Sequence, residues 1–131
     1  MSGPVSLANP ALQAFWTERH LCTLTTLRKD GSPHVEAVGA TLADGICRVI
    51  SSGTSAHVRH VMVNPRVAVC QVDGARWSTV EGLAVVRDDP ASVSTGEELY
   101  AARYRTPRPN PSRVVIEISV TKVLGSSAFT G

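Results

Sequence analysis

A run of small hydroxyl side chains follows one of the apolar strand patterns of this 131-residue chain and precedes a short helical pattern. Helix N-termini carry unpaired backbone N–H groups and a partial positive charge, so hydroxyls at a helix start are typical of phosphate sites. One hydroxyl, from Thr54 or Ser55, is enough to cap a helix, so the additional hydroxyls favour a bound phosphate group. His57 and Arg59 follow as candidate partners of the anion. The run, called the hydroxyl turn, consists of Ser51, Ser52, Gly53, Thr54 and Ser55.

A second group of candidates is basic and surrounds a proline-rich segment at residues 106–111. Its members are Arg103, Arg105, Arg108 and Arg113. Prolines restrict the backbone, so arginines beside them are presented to an anion at little further cost in entropy. The pattern therefore predicts a rigid loop that binds a small anion.

The remaining reactive residue types form no pattern of a catalytic or metal site. Cys22, Cys47 and Cys70 are widely spaced and have no histidine at zinc-ligand spacing. His34 and His60 are interpreted as surface or hairpin histidines. We therefore assign no catalytic residue and no metal ligand, and we expect reduced thiols in a cytoplasmic protein.

Length and composition favour a single domain over residues 1–131. The net charge of +2 and the two phenylalanines argue against a nucleic-acid-binding protein, because basic and stacking surfaces are both scarce. No signal-peptide pattern and no apolar run of membrane-spanning length occurs, so neither secretion nor membrane insertion is expected.

The apolar periodicity predicts a mainly β chain with a few short helices. Asn9 and Pro10 begin an N-terminal helix within residues 1–20, and a second helix covers about residues 55–63. Asp88 or Asp89 begins a third, in a segment, residues 88–111, that ends in the Arg/Pro loop. Three Asp-Gly pairs between strand patterns indicate hairpins, and a small antiparallel barrel follows. The six predicted strands are residues 21–27, 34–41, 45–51, 67–72, 78–86 and 114–124.

Residues 21–124 resemble the pyridoxamine 5′-phosphate oxidase-like split β-barrel family. The resemblance rests on Ile-Ser-Ser-Gly-Thr-Ser-Ala-His at residues 50–57, Asn-Pro-Arg-Val-Ala-Val at 64–69 and Val-Glu-Gly at 80–82. It implies a six-stranded antiparallel split barrel, a homodimer with the flavin between two subunits, and a hydroxyl turn that holds the cofactor phosphate. Members that use FMN carry Arg and then Lys where this chain has Ala56 and His57, which argues against FMN.

Two longer strings, at residues 71–77 and 103–117, resemble the branch of this family that contains reductases dependent on coenzyme F-420, biliverdin reductases among them. The resemblance implies hydride transfer from reduced F-420 to a conjugated, electron-poor small molecule such as a tetrapyrrole. Arg105 and Arg108 would bind substrate carboxylates, and the hydroxyl turn with His57, Arg59 and Arg113 would hold the phosphate end of the cofactor or its tail. The deazaflavin ring would be bordered by His34, Val35, Glu36, Ala37, Val38, Arg76, Trp77 and Ser78.

The sequence leaves two alternatives open. The chain could be an FMN-binding oxidoreductase of the same fold, or a carrier or sensor that binds the cofactor without catalysis. A true pyridoxamine phosphate oxidase is disfavoured by the missing cations. On composition alone, Trp77 favours core packing.

Overall fold

The computed structural model describes residues 3–130 and contains one curled antiparallel sheet with three α-helices. A 3₁₀ turn at Ser127–Phe129 closes the described chain. The elements are, in order, β1 (Gly3–Pro4), α1 (Pro10–Thr17), β2 (Cys22–Leu27), β3 (Pro33–Val38), β4 (Ala40–Ala43), β5 (Ile46–Ser52), α2 (Ala56–Val63), β6 (Arg66–Asp73), β7 (Arg76–Arg87), α3 (Pro90–Arg103) and β8 (Arg113–Gly125).

The sheet order is β3-β2-β6-β7-β8-β5-β4, with β1 paired to β8. The two end strands, β3 and β4, are consecutive in the chain, so the sheet curls until its ends meet at Gly39. This arrangement confirms the predicted mainly β barrel. Eight strands occur among residues 3–130 rather than six, because β1 is added and the predicted strand 34–41 is divided.

The division at Gly39 has a packing cause. Before it, β3 pairs with β2, and after it, β4 pairs with β5 at the other end of the sheet. A Cβ atom on Gly39 would lie 2.8 Å from a ring carbon of Tyr100 on α3. Glycine thus allows the strand to change partners close beneath the helix.

The predicted hairpins are confirmed, and each Asp-Gly pair lies at its turn, with Asp73 as the last residue of β6. The turn between β4 and β5 consists of Asp44, with φ 54°, and Gly45, with φ 75°. Two successive residues with positive φ match the right-handed twist of the flanking strands. Such a turn fixes the register of the two strands that it connects.

The core lies inside the curl, and the helices close it. Leu12, Phe15 and Trp16 of α1 are buried, as their spacing predicts. Asn9 caps α1 and Asp89 caps α3 through side-chain acceptors, so both predicted helix starts are confirmed. In the part of the chain that is described, none of the helices combines the length and the apolar character needed to cross a membrane.

The face of β8 that the alternation predicts to be wet or partnered is exposed at Ser119 and Thr121 and is covered by α3 near the start of the strand. Val115 is fully buried there. A Cβ atom on Gly96 of α3 would lie 2.9 Å from Val115 Cγ2. Gly96, which weakens the helix by propensity, thus permits close packing of the helix on the sheet.

Arg103 is buried beneath the C-terminus of α3 and does not belong to the anion-binding loop. Its guanidinium donates to the carbonyl oxygen of Ala40 at 2.6 Å, to that of Glu18 at 2.8 Å and to Gln71 Oε1 at 2.5 Å. Those contacts join α3 to β4, to β6 and to the segment after α1. The expectation that Arg103 presents its charge to an anion is therefore corrected, because the core acceptors already use its donors.

Candidate functional site

A groove of about 420 Å³ lies between β3, the end of β5, α3 and the Arg/Pro loop. It collects residues from five separate segments of the chain, which only the curled sheet brings together. The lining residues are Glu36, Ala37, Val38, Gly39, Ile50, Ser51, Ser52, Ser55, His57, Tyr100, Arg105, Pro107, Arg108, Asn110 and Arg113.

The hydroxyl turn forms one end of the groove. Ser55 occupies the N-cap position of α2, but its side chain does not cap the first turn. Instead, Ser55 Oγ accepts a hydrogen bond from Ser51 Oγ at 3.0 Å. The interpretation of these hydroxyls as a helix cap is therefore wrong for Ser55, and the N–H groups of the first turn carry no side-chain cap.

A charged hydrogen-bond chain enters the groove from β3. Glu36 Oε2 lies 2.9 Å from His57 Nδ1, and His57 Nε2 lies 2.6 Å from Ser51 Oγ. His34 Nε2 contacts the second carboxylate oxygen of Glu36. These hydrogen bonds, from His34 first and then from His57, hold the pKa of the Glu36 carboxyl below its usual value although burial opposes them.

The sequence gives little sign of this chain, because Glu36, Ser51 and His57 belong to three different elements. The one available signal is the spacing of His34 and Glu36, which places them on the same face of β3. His34 and His60 were interpreted as surface or hairpin histidines. His34 instead bonds Glu36, and His60 bonds Thr26 Oγ1 at 2.9 Å. Burial, followed by the neighbouring His34, lowers the pKa of His60.

Ser, His and Glu in this order also resemble the nucleophilic unit of hydrolases. A hydrolase nucleophile on a strand-to-helix turn stands on a strained backbone. Ser51 is in the regular strand β5, and Asp44 is the non-glycine residue with positive φ among residues 3–130. The geometry therefore favours a binding role for Ser51 over nucleophilic attack.

Arg113 brings a buried, unpaired hydrogen-bond donor to the groove. Its side chain is only 10% exposed and lines the groove. Its Nε atom is buried without a hydrogen-bond partner, and the nearest carboxylate oxygen, on Glu97, is 3.7 Å away. An unpaired buried donor is costly, so a ligand acceptor at this position would stabilise the site.

The Arg/Pro loop is joined directly to the hydroxyl turn. Asn110 Nδ2 donates to Ser52 Oγ at 2.8 Å, and Gly53 N donates to the carbonyl oxygen of Ser112 at 2.9 Å. Arg105 and Arg108 are exposed on this loop, and neither pairs with an acid among residues 3–130. Hydroxyls, uncapped N–H groups and free guanidinium groups thus face one another across the groove, and this donor set fits a phosphate ester.

A family model described as pyridoxamine 5′-phosphate oxidase matches residues 8–127. The chain belongs to the pyridoxamine 5′-phosphate oxidase family. A protein of Mycobacterium tuberculosis (strain CDC 1551 / Oshkosh) named F-420H(2)-dependent biliverdin reductase is 51% identical over 123 residues, covering 92% of this chain and 89% of that protein.

Solved structures share the architecture of this pyridoxamine 5′-phosphate oxidase-family chain. A conserved hypothetical protein of Mycobacterium tuberculosis superposes with a TM-score of 0.82 at 20% identity, over 96% of this chain and 88% of its own. A structure titled F-420 reductase gives a TM-score of 0.72 at 24% identity, over 85% of this chain and 94% of its own. The resemblance to the split-barrel family is confirmed.

Several residues predicted to bind a cofactor do not line the groove of the single chain. Arg59 turns back to donate to the carbonyl oxygen of Thr54 at 2.5 Å. A Cβ atom on Gly53 would make only ordinary contacts at 3.6 Å, so the fold itself does not require glycine there. His34 stands behind Glu36, and Val35 is exposed on the other face of β3.

The predicted ring contacts on β7 also lie outside the groove. Ser78 is buried and accepts a hydrogen bond from Trp16 Nε1 at 3.1 Å. Trp77 is partly buried and its backbone N donates to Ser126 Oγ at 3.2 Å. Arg76 pairs with Glu18 at 3.1 Å and with Asp73 at 2.6 Å. This guanidinium also neutralises a cluster of Glu18, His20 and Asp73 that would otherwise resemble a metal site.

A second cavity of about 430 Å³ adjoins the groove and shares Gly39, Tyr100 and Arg105 with it. Arg19, Leu21 and Tyr104 complete its lining. Arg19 has no acid partner among residues 3–130, and Leu21 is 74% exposed. The two cavities, together called the path, therefore adjoin at Gly39, Tyr100 and Arg105, and each has tyrosine and arginine side chains in its lining.

Proposed function

We propose that this protein is an oxidoreductase that uses reduced coenzyme F-420 to reduce a conjugated, electron-poor small molecule, with a tetrapyrrole as the favoured class. The observation that carries the proposal is the groove with its unpaired Arg113 Nε opposite the hydroxyl turn. The 51% identical relative named F-420H(2)-dependent biliverdin reductase supports the choice of cofactor and reaction. When bound, the reduced cofactor supplies a hydride from its deazaflavin ring.

The residues of the chain bind and orient both partners in this proposal. Ser51, Ser52, Ser55, His57 and Arg113 hold the phosphate end of the cofactor. The exposed edge of β3 at Ala37 and Val38 borders the ring, and the path beside Tyr100 keeps the substrate against it. Holding the two reactants in fixed geometry and limiting water is the main contribution of the protein, and the proton comes from solvent.

Arg105 and Arg108 are proposed to bind substrate carboxylates. Both guanidinium groups are exposed and unpaired within residues 3–130, and Arg105 lies where the two cavities meet. A guanidinium can bind a carboxylate through two parallel hydrogen bonds. The path therefore suits a long, flat molecule with carboxylate side chains.

The test is turnover under anaerobic conditions with reduced F-420 and biliverdin. We expect oxidation of the cofactor with loss of the biliverdin absorbance, and a KM about tenfold higher for biliverdin dimethyl ester, which lacks the charges. Arg105→Gln should raise the KM for biliverdin and leave that for the ester unchanged. The matched control is Arg66→Gln, at an exposed arginine outside both cavities. Equal KM values for acid and ester in the unmodified protein would contradict the role of the arginines.

A homodimer is part of the proposal, because it would let β7 of a second copy complete the site. Leu83 and Val85 on β7 are exposed, as are Met62 and Val63 on α2. The helix packs against β7, and each of the two elements carries exposed apolar side chains. Burial of such side chains favours association. Sedimentation that finds only monomers at micromolar concentration would contradict it.

A cytoplasmic location is proposed from the cysteines. Cys22, Cys47 and Cys70 are free thiols, and the first two are buried. Burial raises the pKa of the Cys47 thiol above its usual value, which disfavours the reactive thiolate. Unpaired thiols of this kind are typical of a reducing compartment.

FMN is the alternative cofactor of the same fold. Its phosphate would meet the same hydroxyl turn, but Ala56 and His57 supply no fixed positive charge there. A carrier that binds F-420 without catalysis is distinguished by bound reduced cofactor that no tetrapyrrole reoxidises.

A further inference from the structure

Among residues 3–130, Glu36 is the one carboxylate that lines the groove, at an end where an anionic ligand is proposed to bind. An isolated carboxylate there would repel a phosphate group. Glu36 is instead joined to His57 Nδ1 at 2.9 Å, and His57 is only 6% exposed. A role for this negative charge that favours anion binding therefore involves its contact with His57.

The protonation state of His57 decides which groups donate and which accept in the hydrogen bonds that join Glu36, His57 and Ser51. An ionised carboxylate only accepts, so His57 Nδ1 carries a hydrogen in both the neutral and the charged ring. If the ring is neutral, Nε2 accepts the hydroxyl proton of Ser51. If the ring is charged, Nε2–H donates to Ser51 Oγ, and the Ser51 hydroxyl proton is free for Ser55 or for a ligand. Ser51 can therefore donate to a groove anion only when His57 is protonated.

The charged and titratable groups near His57 lie on several elements. On β3 there are Glu36 and, behind it, His34, whose Nδ1 lies 3.2 Å from Nη2 of Arg28, the residue after β2. On α2 there are Arg59, turned outward, and His60, whose ring lies 4.9 Å from that of His34. Arg108 and Arg113 line the same groove as His57. Glu36 is the acid that contacts His57 directly, and it opposes these positive charges.

We propose that Glu36 is a positioning residue for the anion site: it holds His57 with Nδ1–H turned inward and stabilises the imidazolium, so that phosphate binding takes up a proton at His57. When His57 is protonated, the unit Glu36–His57–Ser51 supplies the positive charge and the hydrogen-bond donor that an arginine or lysine supplies in a site with a fixed cation. The inference rests on the proposed function only in taking the anion to be the cofactor phosphate.

Titration calorimetry with F-420 and with inorganic phosphate tests this, in two buffers of different ionisation enthalpy at pH 7.5. We expect net proton uptake on binding, and a loss of affinity of about tenfold between pH 6 and pH 8. Glu36→Gln keeps an acceptor for Nδ1–H but removes the charge, so it should weaken binding by about tenfold at pH 7 and reduce proton uptake. Glu36→Asp, which restores the charge, should recover part of the affinity.

Two further variants separate this role from a structural one. Glu18→Gln removes a carboxylate that contacts His20 at 2.9 Å outside the groove, and it should leave affinity and proton uptake unchanged. His57→Lys supplies a fixed charge, so its affinity should be independent of pH from 6 to 8 and insensitive to Glu36→Gln.

The outcomes distinguish this inference from the proposed function. Unchanged or tighter anion binding by Glu36→Gln, or binding without proton uptake, would overturn the role of Glu36 even if F-420 binds well. Proton uptake on binding of inorganic phosphate that is reduced in Glu36→Gln, without any binding of F-420, would support the role of Glu36 and overturn the proposed cofactor.

Discussion

Replacing Gly82 with alanine is expected to lower the free energy of unfolding by about 4 kcal/mol, a large part of the stability of a domain of this size. A Cβ atom there would lie 2.2 Å from the carbonyl oxygen of Ser119, which belongs to the backbone of β8. A backbone atom cannot rotate away as a side chain can, so relief requires separation of β7 from β8.

The position of Gly82 explains why the backbones approach so closely. The pairing of β7 with β8 shifts between Glu81 and Gly82, where Glu81 faces Lys122 and Gly82 faces Val120. Thr121 is therefore the extra residue of a bulge, which bends and twists the strand pair. The bend contributes to the curl that brings β3 and β4 together.

Denaturation in urea, followed by circular dichroism, measures the effect of Gly82→Ala. The matched control is Gly53→Ala, where a Cβ atom would meet neighbours at an ordinary 3.6 Å and φ is not positive. We expect a large fall in the midpoint for the first variant and a change within about 0.5 kcal/mol for the second. Equal midpoints would show that the bulge relaxes without cost.

Replacing Arg103 with methionine is the second large expected effect, with a loss of about 3–5 kcal/mol. The guanidinium is buried and donates to the carbonyl oxygens of Glu18 and Ala40 and to Gln71 Oε1, with no carboxylate among these partners. Methionine fills similar space but donates no hydrogen bond. Gln71 Oε1 and the carbonyl oxygen of Glu18 lose their guanidinium donor, while the carbonyl oxygen of Ala40 keeps the Tyr104 hydroxyl at 2.9 Å. Each unpaired buried acceptor costs its full desolvation penalty.

Thermal unfolding of Arg103→Met measures this loss. The melting temperature should fall by about 15 °C, whereas the control Arg105→Met, at an exposed arginine two residues later, should shift it by only a few degrees. Arg103→Lys should recover little, because an ammonium group cannot reproduce the planar fork of donors. A melting temperature for Arg103→Met within 3 °C of the unmodified protein would contradict the account.

Features that depend on a few neighbouring residues follow from the sequence alone. The three Asp-Gly turns and the caps at Asn9 and Asp89 were predictable, because each depends on a few neighbouring residues. The hydroxyl turn was located correctly for the same reason. Its hydrogen bonds were not predicted correctly, because Ser55 Oγ accepts from Ser51 Oγ and does not cap α2.

The features that were missed depend on contacts between distant segments. The apolar pattern runs through Gly39 without interruption, so the change of partner there could not be predicted from periodicity. Arg103 looked like the other arginines of its loop, yet its acceptors come from the segment after α1, from β4 and from β6. The contact of Glu36 with His57 likewise exists only once β3 lies beside α2.

Parallel titrations of the purified protein with F-420 and with FMN, followed by fluorescence, test most directly whether the groove holds the phosphate end of coenzyme F-420. We predict saturable binding of F-420 and binding of FMN at least about tenfold weaker, because Ala56 and His57 supply no fixed cation. Tight binding of FMN together with no binding of F-420 would contradict the account.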